Sequence, residues 1–340
     1  MSTTATTKYI WFDGKLVDWD KAQVHVMTHA LHYGTSVFEG IRAYDTPKGT
    51  CIFRLHEHIK RLFNSAWIYQ MEIPYTRQQI EDACCEIITS NDLKGGYIRP
   101  LVFIGNVGLG VNPPINPETG KPAPCQVAIG AVPWGAYLGE DGLKNGIDIC
   151  VSSWSRLAPN TIPTGAKAAG NYLSSLLICK EARRNGYTEA VSLNPQGYIA
   201  EGSGENVFLI RDGVIYTSTI TSSILPGITR DSIIHVARDL GYEVREEFIP
   251  REALYLADEV FMCGTAAEIT PVRSIDRYQV GEGHRGPITE KIQKEFFRIV
   301  HGEDGDKRNW LVPVKKYGPA EGLCRGAPPC EACGRRARAD

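Results

Sequence analysis

Two Asp-Gly dipeptides, Asp13-Gly14 and Asp212-Gly213, each stand between short apolar runs, and they restrict the possible folds more than any other local feature. Tyr9-Ile10-Trp11-Phe12 leads into Lys15-Leu16-Val17, and Val207-Phe208-Leu209-Ile210 leads through Arg211 to Val214-Ile215-Tyr216. Asp-Gly tolerates the positive φ angles of a type I′ turn, so each stretch predicts a tight β-hairpin. Elsewhere the hydrophobic period becomes helical. Residues 56–71 place Ile59, Leu62, Phe63, Ala66 and Tyr69 on one face, and 77–90, about 171–184 and about 229–240 read as further helices. Strands are predicted at 97–104, 126–132, 147–152, 189–193 and 243–248. Helices mixed with hairpins predict an α+β fold rather than a doubly wound parallel sheet.

A chain of 340 residues favours two lobes over one, with a cleft between them. Strand pattern stops at Pro133-Trp134-Gly135-Ala136-Tyr137 and resumes soon after. The expected organisation is a small N-terminal lobe at 1–132, a connection at 133–139 and a larger lobe at 140–314. Residues 112–124 are rich in proline and predict a long surface loop. From 315 to 340 Gly, Pro, Arg and Cys dominate and hydrophobic periodicity vanishes, which predicts a disordered tail.

The net charge of -2 gives no electrostatic footprint for nucleic acid. Residues 1–8 lack an apolar h-region and nothing later approaches 18 uninterrupted apolar residues, so a cytoplasmic protein with no membrane partner is expected. Seven of the ten cysteines are scattered among apolar neighbours without regular spacing, as buried free thiols are.

Lys167 lies in Pro163-Thr164-Gly165-Ala166-Lys167-Ala168-Ala169-Gly170, whose small side chains let a flat ring approach. A partly desolvated lysine there is suited to attack an aldehyde, although a solvated loop lysine fits the same pattern. Tyr172, five residues on, is near enough to reach the same ligand. Glu201 and Glu205 flank Gly202-Ser203-Gly204, a turn that could hold a carboxylate against a pyridine nitrogen and keep it protonated, or could be a plain glycine turn. Leu225-Pro226-Gly227-Ile228-Thr229 precedes a helix start, where free N–H groups and the helix dipole suit a phosphate. Gly264-Thr265-Ala266-Ala267 offers backbone N–H groups and a hydroxyl at a strand end. In Tyr97-Ile98-Arg99-Pro100, strand alternation turns Tyr97 and Arg99 to one face, and Arg pairs well with carboxylates. His56 and His58 are two apart on a helix, and His25, His29 and His32 lack nearby carboxylates, so no metal site is expected.

These segments together closely resemble class IV (D-amino-acid-aminotransferase-like, fold type IV) pyridoxal-phosphate enzymes, in particular the bacterial branched-chain amino acid aminotransferases, from about Tyr9 to Leu311. His29 to Arg42, Tyr97 to Pro100, Ala166 to Tyr172, Glu201 to Asn206, Leu225 to Arg230 and Gly264 to Glu268 carry the resemblance, in order. It implies pyridoxal 5'-phosphate between a small α+β N-terminal lobe and a larger C-terminal lobe, in a homodimer or a hexamer built as a trimer of dimers. Lys167 would hold the cofactor covalently and shuttle a proton, Glu201 would pair with the ring nitrogen, and Tyr172 would bond the phenolic oxygen. Arg61, Ile228, Thr229 and Thr265 would hold the phosphate, with Leu225 on the ring face. The substrate carboxylate would meet Tyr97, Thr265, Ala266 and, across a dimer interface, Tyr33. Phe38, Trp134 and Tyr137 would wall the side-chain pocket, and Arg99 would serve the second carboxylate of glutamate.

The implied reaction is reversible, ping-pong transfer of the amino group of leucine, isoleucine or valine to 2-oxoglutarate. D-amino-acid aminotransferase and aminodeoxychorismate lyase are the alternatives within the fold, and Tyr97-Ile98-Arg99-Pro100 has the branched-chain pattern instead.

The tail cysteines, Cys324, Cys330 and Cys333, have a C-x5-C-x2-C spacing that invites a zinc or redox reading. A closed zinc site needs four ligands, and no histidine or fourth cysteine is close by. Such a composition buries too little apolar surface to offset chain entropy, so deleting residues 315–340 should leave cofactor content, dimerisation and turnover within about twofold of the full chain. Stoichiometric zinc by elemental analysis, or activity lost on truncation, would contradict this.

Overall fold

The computed structural model describes residues 6–113, 115, 120, 122, 124–303 and 305–314; the tail and part of the proline-rich loop lie outside the described residues. The chain first forms β1 (Tyr9–Phe12), β2 (Lys15–Asp18), α1 (His29–Tyr33), β3 (Ser36–Phe38), β4 (Ile41–Thr46), β5 (Gly49–Phe53), α2 (Leu55–Ile68), α3 (Arg77–Ser90), β6 (Gly96–Phe103) and β7 (Gln126–Val132). There follow α4 (Glu140–Asn145), β8 (Ile147–Val151), α5 (Tyr172–Arg184), β9 (Glu189–Leu193), β10 (Ile199–Gly202), β11 (Asn206–Arg211), β12 (Val214–Ser218) and α6 (Ile228–Asp239). The remainder is β13 (Val244–Glu247), β14 (Glu259–Gly264), β15 (Glu268–Ile275), β16 (Tyr278–Gln279), α7 (Pro287–Val300) and β17 (Leu311–Pro313). This is an α+β fold.

Both predicted hairpins form. Phe12 pairs with Lys15 and Arg211 with Val214, and the turn residues all have positive φ: Asp13 43°, Gly14 88°, Asp212 51° and Gly213 76°. The helix expected at 56–71 stops at Ile68, because Gln70 turns left-handed at φ 54°. Helix α7 and strands β4 and β5 add to the predicted elements. Strand β4 carries Arg42 and Tyr44 inside, and a buried arginine masks the apolar signal of a strand.

The first sheet runs β17-β5-β4-β6-β7-β1-β2, with β3 paired to β6. Period-2 alternation gives it two unlike faces. Ile98 and Val102 of β6 and Val127, Ile129 and Ala131 of β7 are fully buried against Ile59 and Leu62 of α2 and Ile80 and Ile87 of α3. Their neighbours Tyr97, Arg99, Leu101, Ala128 and Gly130 point the other way and line a mostly apolar groove.

The second sheet runs β10-β9-β8-β15-β14-β11-β12-β13, with β16 paired to β15. It is mixed, since β8 is parallel to both β9 and β15. Phe208, Ile210, Phe261 and Cys263 on one face pack with α6 and α7, while Val207, Leu209, Val260 and Met262 fill the other. The last strand, β17, crosses back to the edge of the first sheet beside β5.

Aromatic side chains join the sheets. Phe53 of β5 meets Phe296 of α7 edge-on at 5.7 Å and Trp310 at 5.8 Å. Beside it the Arg54 guanidinium lies 4.8 Å from the Trp310 ring and donates to Asp231 on α6 at 2.7 Å. Phe296 is 2% exposed and central to this joint. Phe296→Ala should therefore lower unfolding stability by about 3–5 kcal/mol, seen as a lower urea midpoint. A midpoint unchanged from wild type would remove this contact from the core.

Candidate active site

A cavity at the junction of the two sheets is lined by Arg61, Lys167, Tyr172, Glu201, Leu225, Ile228, Thr229 and Thr265, the eight residues assigned to cofactor binding by resemblance. They arrive from separate elements: α2, the loop before α5, the start of α5, β10, the approach to α6 and its first turn, and the turn between β14 and β15.

Lys167 is held by its backbone. Its N–H donates to Ser65 Oγ at 3.0 Å, and its carbonyl accepts from the N–H of Phe38 at 3.0 Å. Asn171 donates its amide to the carbonyls of Pro163 and Ala166, both at 3.1 Å, and so braces the loop before the lysine. The free end, Nζ, donates to the Tyr172 hydroxyl at 2.7 Å and lies 5.1 Å from the Phe38 ring centre.

Glu201 lines the same cavity and is 5% exposed. Burial pushes its carboxyl above the usual range, and Arg156 and the amide of Leu225 pull it only part of the way back. Arg156 donates to Oε1 at 2.6 Å, while Asn206 at 3.1 Å and the Leu225 N–H at 3.0 Å donate to Oε2. The same Asn206 amide donates to the Leu225 carbonyl at 3.1 Å. Gly227 N-caps α6, and a Cβ there would lie 2.1 Å from Asn206 Oδ1, so a side chain would displace the amide that holds Glu201. With no side chain capping that end, the first N–H groups of α6 are open to an anion beside Thr229 and Thr265.

Arg61 approaches this helix start from α2, donating to the Pro226 carbonyl at 3.0 Å. Its Nε and Nη2 fork onto Glu39 at 2.7 and 2.9 Å. His58 Nδ1 is 2.7 Å from the same carboxylate. Burial alone would raise Glu39, but Arg61 and then His58 outweigh it and hold the carboxyl well below the usual range. Burial pushes His58 downward, toward its neutral form, in which Nδ1–H donates to Glu39.

The residues assigned to substrate form a chain of contacts. Tyr97 stacks on Trp134 at 4.7 Å, and Trp134 on Tyr137 at 6.1 Å. Arg99 donates to the Tyr97 hydroxyl at 3.0 Å, with its guanidinium 4.7 Å from the Phe38 ring, so the predicted common face of Tyr97 and Arg99 is present. Phe38 in turn meets Tyr172 at 4.9 Å. The Ala266 carbonyl accepts from Arg42 at 3.2 Å. Tyr33 stays apart: it is exposed on α1, donates to the Leu109 carbonyl, and lines a separate groove with Val111 and Gly170.

Sequence reasoning gave no role to Arg156 and Asn206, which line the cavity, or to Glu39, Ser65 and Arg42, which contact the assigned residues from behind it. The signal existed for some: Glu39 and Arg42 lie within the motif His29 to Arg42, and a charge among apolar residues needs a partner. Among the described residues no group of His, Cys, Asp and Glu is arranged to hold a metal ion. Also among them, Cys51, Cys84, Cys85, Cys125, Cys150, Cys179 and Cys263 are free, and all but Cys179 are buried. Among the described residues no helix is long and apolar enough to cross a membrane.

A half-buried lysine and a buried carboxylate in one cavity, with an uncapped helix N-terminus on its wall, make a pocket for a flat, phosphorylated heteroaromatic group. Comparison with known proteins places the pocket in a family. Residues 36–275 match the amino-transferase class IV model. A branched-chain-amino-acid aminotransferase from Salmonella typhimurium is 59% identical over 312 residues, covering 92% of this chain and 99% of that protein. The crystal structure of Escherichia coli branched-chain amino acid aminotransferase superposes with a TM-score of 0.88 at 58% identity, covering 91% of this chain and 100% of that one. The branched-chain amino acid aminotransferase from Thermobaculum terrenum, solved in its PLP-bound holo form, gives 0.82 at 38% identity, covering 91% and 99%. The chain belongs to the class IV aminotransferases.

One further pair lies behind the wall, where Ser203 Oγ donates to Glu189 and the Gly204 N–H to Glu205, both at 2.9 Å. Glu189 and Glu205 are 1% and 4% exposed, and among the described residues neither is ion-paired. Burial and the neighbouring Glu189 push Glu205 up to about 8. A carboxyl whose pKa is higher folded than unfolded stabilises the fold below the unfolded value near 4.5 and loses that contribution as pH rises through about 8. The melting temperature should fall between pH 5 and 9, and Glu205→Gln, which stays neutral, should fall less steeply. Parallel curves for the two proteins would refute a protonated Glu205.

Proposed function

We propose that this chain is a pyridoxal 5'-phosphate-dependent branched-chain amino acid aminotransferase, which reversibly transfers the amino group of leucine, isoleucine or valine to 2-oxoglutarate. The observation that carries the reading is a single cavity holding Lys167, Tyr172, Glu201 and the α6 N-terminus, continuous through Phe38 with an aromatic wall that bears one arginine. The donor set fits the cofactor: an amine for its aldehyde, a carboxylate for its ring nitrogen, and N–H, hydroxyl and guanidinium groups for its phosphate. When bound, it supplies an aldehyde that accepts the amino group and a conjugated ring that accepts the electrons of the broken Cα–H bond.

In this reading Lys167 Nζ takes and returns the substrate Cα proton, and Tyr172, 2.7 Å away, sets its direction. Glu201, fixed by Arg156, Asn206 and the Leu225 amide, presents a carboxylate of fixed orientation to a protonated ring nitrogen. Arg61, Ile228, Thr229 and Thr265 hold the phosphate, and Leu225 covers a ring face. Tyr97, Thr265 and Ala266 receive the substrate carboxylate. Phe38, Trp134 and Tyr137 exclude water from a hydrocarbon side chain, and Arg99 receives the γ-carboxylate of glutamate. One pocket serving both substrates in turn makes the kinetics ping-pong.

The chain works in this reading as a cytoplasmic homodimer, or as a hexamer built from three such dimers, with lobes at 1–132 and 140–314 joined by 133–139. Support for self-association is the exposed stripe Leu173, Leu176 and Leu177 on α5, at helical spacing. Tyr33 supports it too, since within one chain it does not reach the pocket to which it is assigned.

A donor panel against 2-oxoglutarate tests the activity: leucine, isoleucine and valine should be used and D-alanine should not, while lyase activity on aminodeoxychorismate would overturn the assignment. Lys167→Ala should abolish multiple turnover. Arg99→Ala should slow the glutamate half-reaction by about 10- to 100-fold and the leucine half-reaction far less, because only glutamate brings a second carboxylate and a charged hydrogen bond contributes about 1.5–3 kcal/mol. Equal losses in single-turnover absorbance would refute that role.

A further inference from the structure

The contacts behind the cavity close into a ring. Arg61 and Ser65 sit one turn apart on α2, on the face that also carries His58. Arg61 forks onto Glu39 at 2.7 and 2.9 Å. The residue before Glu39, Phe38, donates its N–H to the Lys167 carbonyl at 3.0 Å. The Lys167 N–H donates back to Ser65 Oγ at 3.0 Å, and Val37 bridges Ala168 alongside. Glu39 and Ser65 are 0% exposed, so water does not compete at either link.

We propose that Ser65 is a positioning residue, which fixes the lysine backbone at a set distance from Arg61 and so sets how far Lys167 Nζ must reach to an aldehyde whose phosphate is already held. Glu39, oriented by His58, does the corresponding job at the other end by aiming Arg61 at the α6 N-terminus. A helix is a stiff spacer, so α2 keeps both ends of the cofactor site in register. This rests on the reading of Lys167 as covalent anchor and Arg61 as phosphate ligand.

The division has a physical consequence. Two of Arg61's three nitrogens are engaged by Glu39, and the charges cancel, so the phosphate gains direction from Arg61 more than net charge. Loss of the Ser65 hydroxyl instead leaves the Lys167 N–H without its acceptor, and the loop can relax away from α2. The first change concerns any phosphorylated ligand. The second concerns only a ligand that bonds to Nζ.

Pyridoxal 5'-phosphate bonds to Nζ with loss of one water, whereas pyridoxamine 5'-phosphate, with an amine in place of the aldehyde, does not. Their dissociation constants for the apoenzyme, from tryptophan fluorescence titration, separate the two ends. Ser65→Ala should weaken pyridoxal phosphate about tenfold, as expected for one lost hydrogen bond, and leave pyridoxamine phosphate within about twofold. Ser65→Thr, which retains a hydroxyl, should restore much of the difference. Glu39→Gln should weaken both ligands by the same factor.

Unchanged pyridoxal phosphate binding in Ser65→Ala, or equal weakening of both ligands, would overturn the proposal. The intact pyridoxamine phosphate site in the same sample reports that the variant is folded. Lys167→Ala tests the underlying reading separately: it must abolish the aldehyde's advantage, and if the advantage survives, the lysine assignment fails whatever Ser65 does.

Discussion

A carboxylate buried at the junction of two sheets is the constraint around which this structure is arranged. Moving an isolated ionised carboxylate out of water costs several kcal/mol, and the cost is offset only by charge and hydrogen bonds of good geometry. Glu201 receives them from Arg156, Asn206 and the Leu225 N–H. Those three donors come from the loop after β8, the start of β11 and the approach to α6. Satisfying one side chain therefore fixes the relative position of three segments. Through Asn206 it also disfavours a side chain at residue 227, where α6 begins.

The second buried carboxylate, Glu39, plays a comparable part for the first sheet. Its partners Arg61 and His58 are both on α2, so the link between β3 and β4 is tied to α2 by an ion pair and hydrogen bonds as well as by the apolar core beneath β6 and β7. Glu39 and Glu201 each have their own arginine. In the proposed function the catalytic groups stand between these anchors and need little motion to reach their geometry, which is where an enzyme of this kind gains from a rigid scaffold.

The two faces of the first sheet divide the work. One face is sealed by α2 and α3 and stabilises the fold. The other leaves Tyr97, Arg99, Leu101 and Gly130 on a groove, and the connection through Trp134 and Tyr137 leans over its end by aromatic stacking. In the proposed function this supplies an apolar wall with one guanidinium at its edge, a combination that admits a hydrocarbon or a carboxylate according to which substrate arrives.

Much of this was legible in the residues alone. The Asp-Gly turns, the period-2 strands and the period-3.6 helices are written locally, because backbone sterics and one-sided burial act over a few residues. Tyr97 and Arg99 sharing a face follows from the same alternation. The residues assigned to the cofactor could be grouped through family resemblance because their segments keep their order and their unusual glycine-rich chemistry. What only the tertiary structure decided is which charge meets which. Arg156 lies 45 residues from Glu201, and Ser65 lies 102 residues from Lys167. The partner of a buried group is chosen by the packing of whole sheets, since desolvation makes every such group demand a neighbour without specifying one. The return of β17 to the first sheet beside β5, across most of the chain, is the same kind of decision, made by an open sheet edge that any strand could have filled.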